Sequence, residues 1–185
     1  MGKVFEGIDE KLAAFIHEQP VFFVATAPLA EDGHLNLSPK GNNRVEVLDE
    51  RTVAYLDLTG SGVETIAHLR ENGRIVVMLC AFEGPPRIVR LHGRGEVVQK
   101  GAPGYPELAA RFPSHPSARA VVKVEVDRIS DSCGYGVPLM SFQRERTQME
   151  DWAEHKGPDG IVEYQATRNA ASIDGLPGLP SKPLP

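Results

Sequence analysis

The chain has 185 residues, a length typical of one domain with room for a small appendage. It carries 20 Lys and Arg residues against 25 Asp and Glu residues, and the resulting net charge of −5 argues against a general nucleic-acid binder, which needs a basic surface. The 18 glycines and 15 prolines are an unusually large number of turn-forming residues, so the composition favours a β-rich fold over a helical bundle.

The first third of the chain predicts a helix followed by a hairpin. Apolar residues at helical spacing, after an aspartate that can cap the first turn, predict a helix over residues 9–18. The apolar run 21–26 predicts a strand, and an Asp-Gly pair beyond it predicts a hairpin turn. In the return strand Leu35 and Leu37 alternate with polar residues, which predicts one buried face.

The rest of the chain predicts more strands, two short helices and a helical C-terminal region. Strands are predicted at residues 45–48, 52–57, 75–82, 87–98 and 121–129. Helices are predicted at residues 62–72 and 105–112, and the pattern becomes helical again over residues 142–172. The proline-rich residues 177–185 predict an extended tail. Because short strands would leave edges exposed, a small closed or split antiparallel β-barrel with peripheral helices fits best.

Several classes of site and location are not expected. The longest apolar run, residues 75–82, is far shorter than the ~20 residues that span a bilayer, and no secretory signal is visible at the start. We therefore expect a cytoplasmic protein without a membrane segment. The histidines lack metal-ligand spacing, so no metal site is expected. Cys80 lies in an apolar run and is expected in the core, although a disulfide with Cys133 stays open.

The strongest functional signal lies in residues 55–65, which lead from a strand into a helix. The segment combines hydroxyl side chains with glycines, namely Thr59, Gly60, Ser61, Gly62 and Thr65. Backbone N–H groups at such a turn, together with the positive end of the helix dipole, favour a phosphate group. The alternative is an ordinary glycine-rich turn with Ser61 as the N-cap. A dinucleotide-binding fingerprint is not expected, because Thr65 stands where a third glycine is needed.

A second signal is the segment Ser38-Pro39-Lys40-Gly41 at the end of the predicted return strand. Pro39 has no backbone N–H and marks the end of regular pairing. Lys40 would then place a cation at a strand end, where it could bind a phosphate or an electron-rich ring oxygen. The alternative is a solvated surface lysine. The two segments could be neighbours in a small barrel.

Taken together, several segments resemble the pyridoxamine 5′-phosphate oxidase-like flavoproteins, which have an FMN-binding split barrel. The resemblance is carried by residues 34–41, 55–65, 68–79 and 87–98, with residues 133–138 and 169–179 similar to the tail of one subgroup. It implies a split-barrel domain over residues 1–140, with a helical C-terminal extension over residues 141–185 packed on it. It also implies an FMN-dependent oxidoreductase that is a homodimer with the flavin at the interface and acts on a small molecule.

The resemblance assigns the cofactor-binding residues by position. They are Ser38, Pro39 and Lys40 along the flavin, Leu58 and Thr59 under the ring edge or ribityl chain, and Glu64 and Thr65 at the phosphate turn. Gly41, Ser61 and Gly62, which belong to the two segments described above, and Arg90, a candidate compensating cation, complete the set of predicted cofactor-binding residues. No catalytic side chain is assigned. Glu64 and Thr65 stand where the oxidase has an Arg-Lys pair, and Leu35 stands where it has an arginine, so three phosphate cations are missing.

Several alternatives follow from the missing cations. Lys40, Arg90 or a partner-chain arginine compensates, or hydroxyls and amides bind the phosphate, or the cofactor is held weakly. Pyridoxamine phosphate is therefore not expected as the substrate. A deazaflavin F420-dependent reductase on the same fold is one alternative function. A non-enzymatic flavin- or haem-binding protein, acting as a sensor or storage module, is another.

Overall fold

Eight antiparallel strands and four helices make up residues 2–179, which are the residues described by the computed structural model. In chain order the elements are β1 (Val4–Phe5), α1 (Glu10–Glu18), β2 (Phe22–Thr26), β3 (Asn36–Lys40), β4 (Glu46–Asp49), β5 (Thr52–Leu58), α2 (Glu64–Asn72), β6 (Arg74–Cys80), β7 (Ile88–Gln99), α3 (Tyr105–Ala109), β8 (Ala118–Ser132) and α4 (Gln148–Arg168).

The strands form one sheet in the order β3-β2-β6-β7-β8-β5-β4, and β1 pairs with the far end of β8. The long hairpin of β7 and β8 lies at the centre of this order, with β3 and β4 at its two ends. The sheet is a split antiparallel barrel, as predicted. No helix among residues 2–179 is long and apolar enough to cross a membrane.

Apolar side chains of alternating strand positions fill the interior, and helix α1 adds Leu12 and Ile16 to it. Phe22 on β2 and Tyr55 on β5 pack edge to face with ring centroids 5.3 Å apart, and both are fully buried. Burial of large apolar side chains from both halves of the strand order is the main force that holds the barrel together.

Helix α2 is fixed closely against the barrel, and this fixes the turn that precedes it. The helix ends at Gly73, whose φ of +71° suits glycine. Leu69 of α2 packs over Gly95 of β7, where an added Cβ would come within 2.8 Å of both leucine methyl carbons. The missing side chain of Gly95 therefore allows the helix to approach the sheet.

The C-terminal helix differs from the sequence prediction. The helical pattern predicted over residues 142–172 is wrong for residues 142–147 and 169–172, which lie outside helix α4. Helix α4 is also bent at Gly157, which has a φ of +68° and precedes Pro158. Proline has no N–H to continue the helical hydrogen bonds, so the bend follows directly from this pair.

The predicted tail is held against the barrel in its first residues. We call residues 169–179 the C-terminal arm. Ala171 and Pro177 of the arm form a β-bridge, and Leu179 is buried against Val63 and Ile66. The remainder of the predicted tail, residues 180–185, lies outside the described residues.

Strand β3 has the predicted alternation, but the prediction that its apolar side is buried is wrong. Leu35 and Leu37 are 82% and 67% exposed, whereas Asn36, Ser38 and Lys40 point inwards and are half-buried. The inward side of β3 faces polar partners on β2, β5 and α2, so the polar residues of the strand occupy it.

Candidate functional site

A cleft of about 430 Å³ opens where the end of β3, the end of β5 and the turn before α2 meet. Nine of the eleven predicted cofactor-binding residues line it, namely Ser38, Pro39, Lys40, Gly41, Leu58, Ser61, Gly62, Glu64 and Thr65. The other lining residues are Asn36, Asn42, Asn43, Leu56, Gly60, Arg119 and Met149. The cleft therefore combines the two segments that the sequence singled out.

The two remaining predicted residues, Thr59 and Arg90, are not among the lining residues. Thr59 is fully buried, and its hydroxyl accepts a hydrogen bond of 2.8 Å from Gln165 Nε2 of α4. Arg90 lies on β7 and donates to Ser132 Oγ at 3.1 Å. Its guanidinium group therefore bonds a side chain of the neighbouring strand β8 and does not line the cleft.

A buried carboxylate lies beneath the cleft and binds two cations. Asp57 on β5 is 0% exposed, and its two oxygens accept from Lys40 Nζ at 2.8 Å and from Arg119 Nε at 2.7 Å. Burial alone would raise the pKa of Asp57, but the charges of Arg119 and Lys40 outweigh it and lower the pKa to about 2. The carboxylate is therefore ionised at neutral pH and fixes both cations.

Arg119, at the start of β8, was not predicted as a site residue. Its Nη1 donates to Gly62 O at 3.1 Å and to Asn169 Oδ1 at 2.9 Å, in addition to the bond from Nε to Asp57. A guanidinium has five N–H donors, so the two on Nη2 remain. These two N–H groups have no hydrogen-bond partner among residues 2–179, and Nη2 is not buried away from solvent.

The turn before α2 presents free backbone donors to the cleft. The N-cap position of α2 is Val63, not Ser61, and no side chain among the described residues caps the first turn. A Cβ on Gly60 would meet nothing within 4 Å, whereas a Cβ on Gly62 would collide with the Glu64 carboxylate. The uncapped N–H groups and the open space at Gly60 make this turn suited to an anionic ligand.

The C-terminal arm is attached to the same turn. Asn169 is fully buried, and its Nδ2 donates to Gly60 O at 3.0 Å while its Oδ1 accepts from Arg119. Glu64 Oε1 accepts from the backbone N–H of Ile173 at 3.1 Å. One side chain of the arm therefore connects the turn to the cation, and the arm also holds the Glu64 carboxylate.

A polar network behind the cleft fixes the direction of its hydrogen bonds. Asn36 Nδ2 donates to Thr26 Oγ1 at 3.1 Å and to Thr65 Oγ1 at 3.0 Å, while its Oδ1 accepts from Ser38 Oγ at 3.0 Å. Thr26 Oγ1 also contacts the buried His68 Nδ1 at 2.9 Å, and burial lowers the pKa of His68. Ser38 has thus used its proton and can only accept from a ligand, whereas Thr65 keeps a proton to donate.

Comparison with known proteins identifies the family. The family model described as "Pyridoxamine 5'-phosphate oxidase" matches residues 8–133. The pyridoxamine 5'-phosphate oxidase family protein ustO of Aspergillus flavus is 40% identical over 194 residues, covering 96% of this chain and 78% of that protein. The chain belongs to the pyridoxamine 5′-phosphate oxidase family.

Two solved structures share the fold of this family member. Both are crystal structures of HupZ from Group A Streptococcus, and one of them is a histidine-to-alanine variant. The variant is 24% identical with a TM-score of 0.52, covering 68% of this chain and 99% of that chain. The other is 25% identical with a TM-score of 0.50, covering 66% of this chain and 91% of that chain.

The residues matched by the family model include the buried ion pair of Asp57 and Arg119 but not the C-terminal arm. Asp57 and Arg119 both lie within residues 8–133, whereas Asn169 lies beyond them. A charged residue inside the apolar run Tyr55–Leu58 was a signal that the sequence offered for Asp57, because a buried charge needs a partner. No comparable signal existed for Asn169, whose position depends on the path of the arm.

Proposed function

We propose that the protein is a flavoprotein oxidoreductase that binds FMN in the cleft between β3, β5 and the turn before α2. The observation that carries the proposal is the uncapped N-terminus of α2, which opens into the cleft beside the hydroxyls of Ser61 and Thr65. Free N–H groups at a helix N-terminus favour a phosphate both by hydrogen bonding and through the helix dipole.

The size and chemistry of the cleft fit such a ligand. Its volume of about 430 Å³ lies within the range of small-molecule sites, which is roughly 300–1,000 Å³. Leu56 and Leu58 supply apolar surface at one side, and the inward-facing residues of β3 supply polar groups at the other. The open space at Gly60 leaves room for a bulky group next to the backbone.

Each part of the site has a role in binding and orientation. The turn of Gly60 to Gly62 would hold the phosphate, and Thr65 would donate its hydroxyl proton to it. Ser38 would accept from a donor on the ring or ribityl chain, and Lys40 would place positive charge beside the ring, held there by Asp57. When bound, FMN supplies hydride or electron transfer, so the protein's task is to position it.

We also propose that the protein is a homodimer with the flavin at the interface. Leu35, which directly precedes β3, and Leu37 within β3 form an exposed apolar pair, and this strand ends the strand order and lines the cleft with its other side. A second copy that covers these leucines would remove apolar surface from water close to the cleft. Mass measurement in solution tests this with the double variant Leu35→Lys/Leu37→Lys.

The expected result of that test is a monomer that binds FMN more weakly. Leu29→Lys is the matched control, because Leu29 is 62% exposed but lies outside β3. A double variant that remains a dimer, or a wild-type protein that is a monomer, would contradict the proposed interface.

The cofactor is tested by titrating the purified protein with FMN, deazaflavin F420 and haem in parallel, after recording the absorbance spectrum of whatever it carries. FMN is expected to bind most tightly and to be reduced on the protein by NAD(P)H or another donor. Tighter binding of F420 would indicate that F420, and not FMN, is the cofactor that this fold binds. Bound flavin that no donor reduces would indicate a sensor or storage protein, and binding of haem alone would contradict a flavoprotein.

A further inference from the structure

The phosphate of the proposed cofactor needs a cation that the expected positions do not provide. Glu64 and Thr65 occupy two of those positions, and Arg90 lies away from the cleft. Lys40 and Arg119 both line the cleft and both bind Asp57, but of the two only Arg119 also hydrogen-bonds the turn, through Gly62 O at 3.1 Å. Arg119 is therefore the lining cation that is attached to the turn.

Arg119 has the position and the free donors for this role. It is only 6% exposed, yet it lines the cleft, and its two Nη2 N–H groups have no partner among the described residues. Nη2 is not sealed from solvent, so these two donors are available to a ligand that enters the cleft. Because Arg119 also bonds Gly62 O, its free donors lie near the uncapped N-terminus of α2.

The guanidinium group of Arg119 is held in one orientation before any ligand binds. Asp57 holds Nε, and Gly62 O and Asn169 Oδ1 hold Nη1, so three of the five donors define the plane of the group. A fixed guanidinium fork loses little freedom on binding a phosphate, and charge-assisted hydrogen bonds of this kind are strong.

Asn169 makes the C-terminal arm part of this arrangement. Its amide bonds Arg119 with one atom and Gly60 O with the other, and it is fully buried. Undocking of the arm would remove both bonds at once and release the turn and the cation together. A phosphate that needs both in place would therefore bind the docked arm better, and by reciprocity it would stabilise docking.

We propose that Arg119 is the phosphate-binding cation of the cleft and that Asn169 is its positioning residue, so that cofactor phosphate and C-terminal arm stabilise each other. The inference rests on the proposed flavin binding and extends it to residues outside the expected cation positions. The inference concerns only the phosphate end of the ligand, so a comparison of flavins with and without a phosphate tests it.

The test compares the dissociation constants of FMN and riboflavin, which lacks the phosphate, by calorimetric titration. For Arg119→Gln we expect FMN affinity to fall about 10- to 100-fold, the range for losing charge-assisted hydrogen bonds, and riboflavin affinity to stay within about 3-fold. The FMN affinity of Arg119→Lys should lie between that of the wild type and that of Arg119→Gln. Arg90→Gln is the matched control, and its FMN-to-riboflavin affinity ratio should equal that of the wild type.

The role of Asn169 has its own measurement. Trypsin cleavage after the exposed Arg168, which immediately precedes the arm, reports undocking of the arm. FMN should slow this cleavage in the wild type and riboflavin should not, and the difference should disappear in Arg119→Gln. Asn169→Ala should lower the FMN-to-riboflavin affinity ratio, an effect that a purely structural asparagine would not produce.

Loss of folding is separated from loss of binding by a second variant. Arg119→Gln leaves Asp57 with Lys40 as its one cation, whereas Arg119→Lys keeps a second cation beside Asp57 and should stay folded, and its FMN-to-riboflavin affinity ratio should still lie below that of the wild type. An unchanged ratio in the arginine variants, or equal loss of both flavins, would overturn the inference and leave the proposed function intact. A wild-type protein that binds neither flavin would overturn both.

Discussion

Replacement of Asp57 by Asn removes the one charge that holds Lys40 and Arg119 together beneath the cleft. The two cations would then face each other across a neutral amide in a buried environment. Removing one partner of a buried ion pair typically costs about 3–5 kcal/mol. We therefore expect the free energy of unfolding at pH 7 to fall by about that amount.

The pH dependence gives a second, independent magnitude. The pKa of Asp57 is lowered from an ordinary 3.8 to about 2, a shift that corresponds to about 2 kcal/mol. Because the folded-state pKa is depressed, this stability is present above pH 3.8 and is lost as the pH falls towards 2. Between pH 3.8 and 2 the wild type should lose this contribution to its free energy of unfolding, and Asp57→Asn should not. The difference in free energy of unfolding between the two proteins should therefore become smaller as the pH falls.

Urea unfolding followed by far-ultraviolet circular dichroism, at several pH values between 7 and 2, measures both quantities. Asp127→Asn is the matched control, because Asp127 is an exposed aspartate on the same strand as Arg119. If Asp57→Asn is within about 1 kcal/mol of this control at pH 7, the buried ion pair does not stabilise the protein and the reasoning is wrong.

Three further outcomes follow from single side chains. Tyr55→Phe should leave stability unchanged or raise it by up to about 1 kcal/mol in thermal unfolding, because the buried hydroxyl has no partner among residues 2–179. Gly95→Ala should destabilise by about 1–3 kcal/mol in the same assay, since the new methyl group would overlap Leu69. In the native protein a thiol reagent should modify the exposed Cys133 rapidly and Cys80 only on unfolding, because burial both shields Cys80 and raises its pKa; equal rates would contradict the placement of Cys80.

The fold could be predicted largely because its signals are local. Most strand and helix positions were predicted within a few residues, since alternation and turn residues are visible in a single segment. The two-residue strand β1 is too short to give a pattern. The inverted face of β3 could not be foreseen either, because the polar partners of Asn36 lie on other elements and the leucines remain exposed.

The site was predicted in its segments but not in its cations. Hydroxyls and glycines before a helix are a sequence signal, and nine of the predicted residues line the cleft. The pairing of Lys40 with Asp57, and of Asp57 with Arg119, joins residues 17 and 62 positions apart, and no local pattern contains that information. The sequence suggests Arg90 as a compensating cation, but its side chain bonds Ser132 on the neighbouring strand β8.

The split in the barrel has a mechanical consequence. No backbone ladder joins β3 to β5 among the described strands, and side chains cross the seam instead, through Lys40 to Asp57 and through Asn36 to Thr65 of α2. Widening the seam therefore breaks a few side-chain bonds and leaves every ladder intact. Amide hydrogen exchange should be faster in β3 than in β7 and β8, because within residues 2–179 β3 is paired only with β2, whereas β7 and β8 are each paired on both sides.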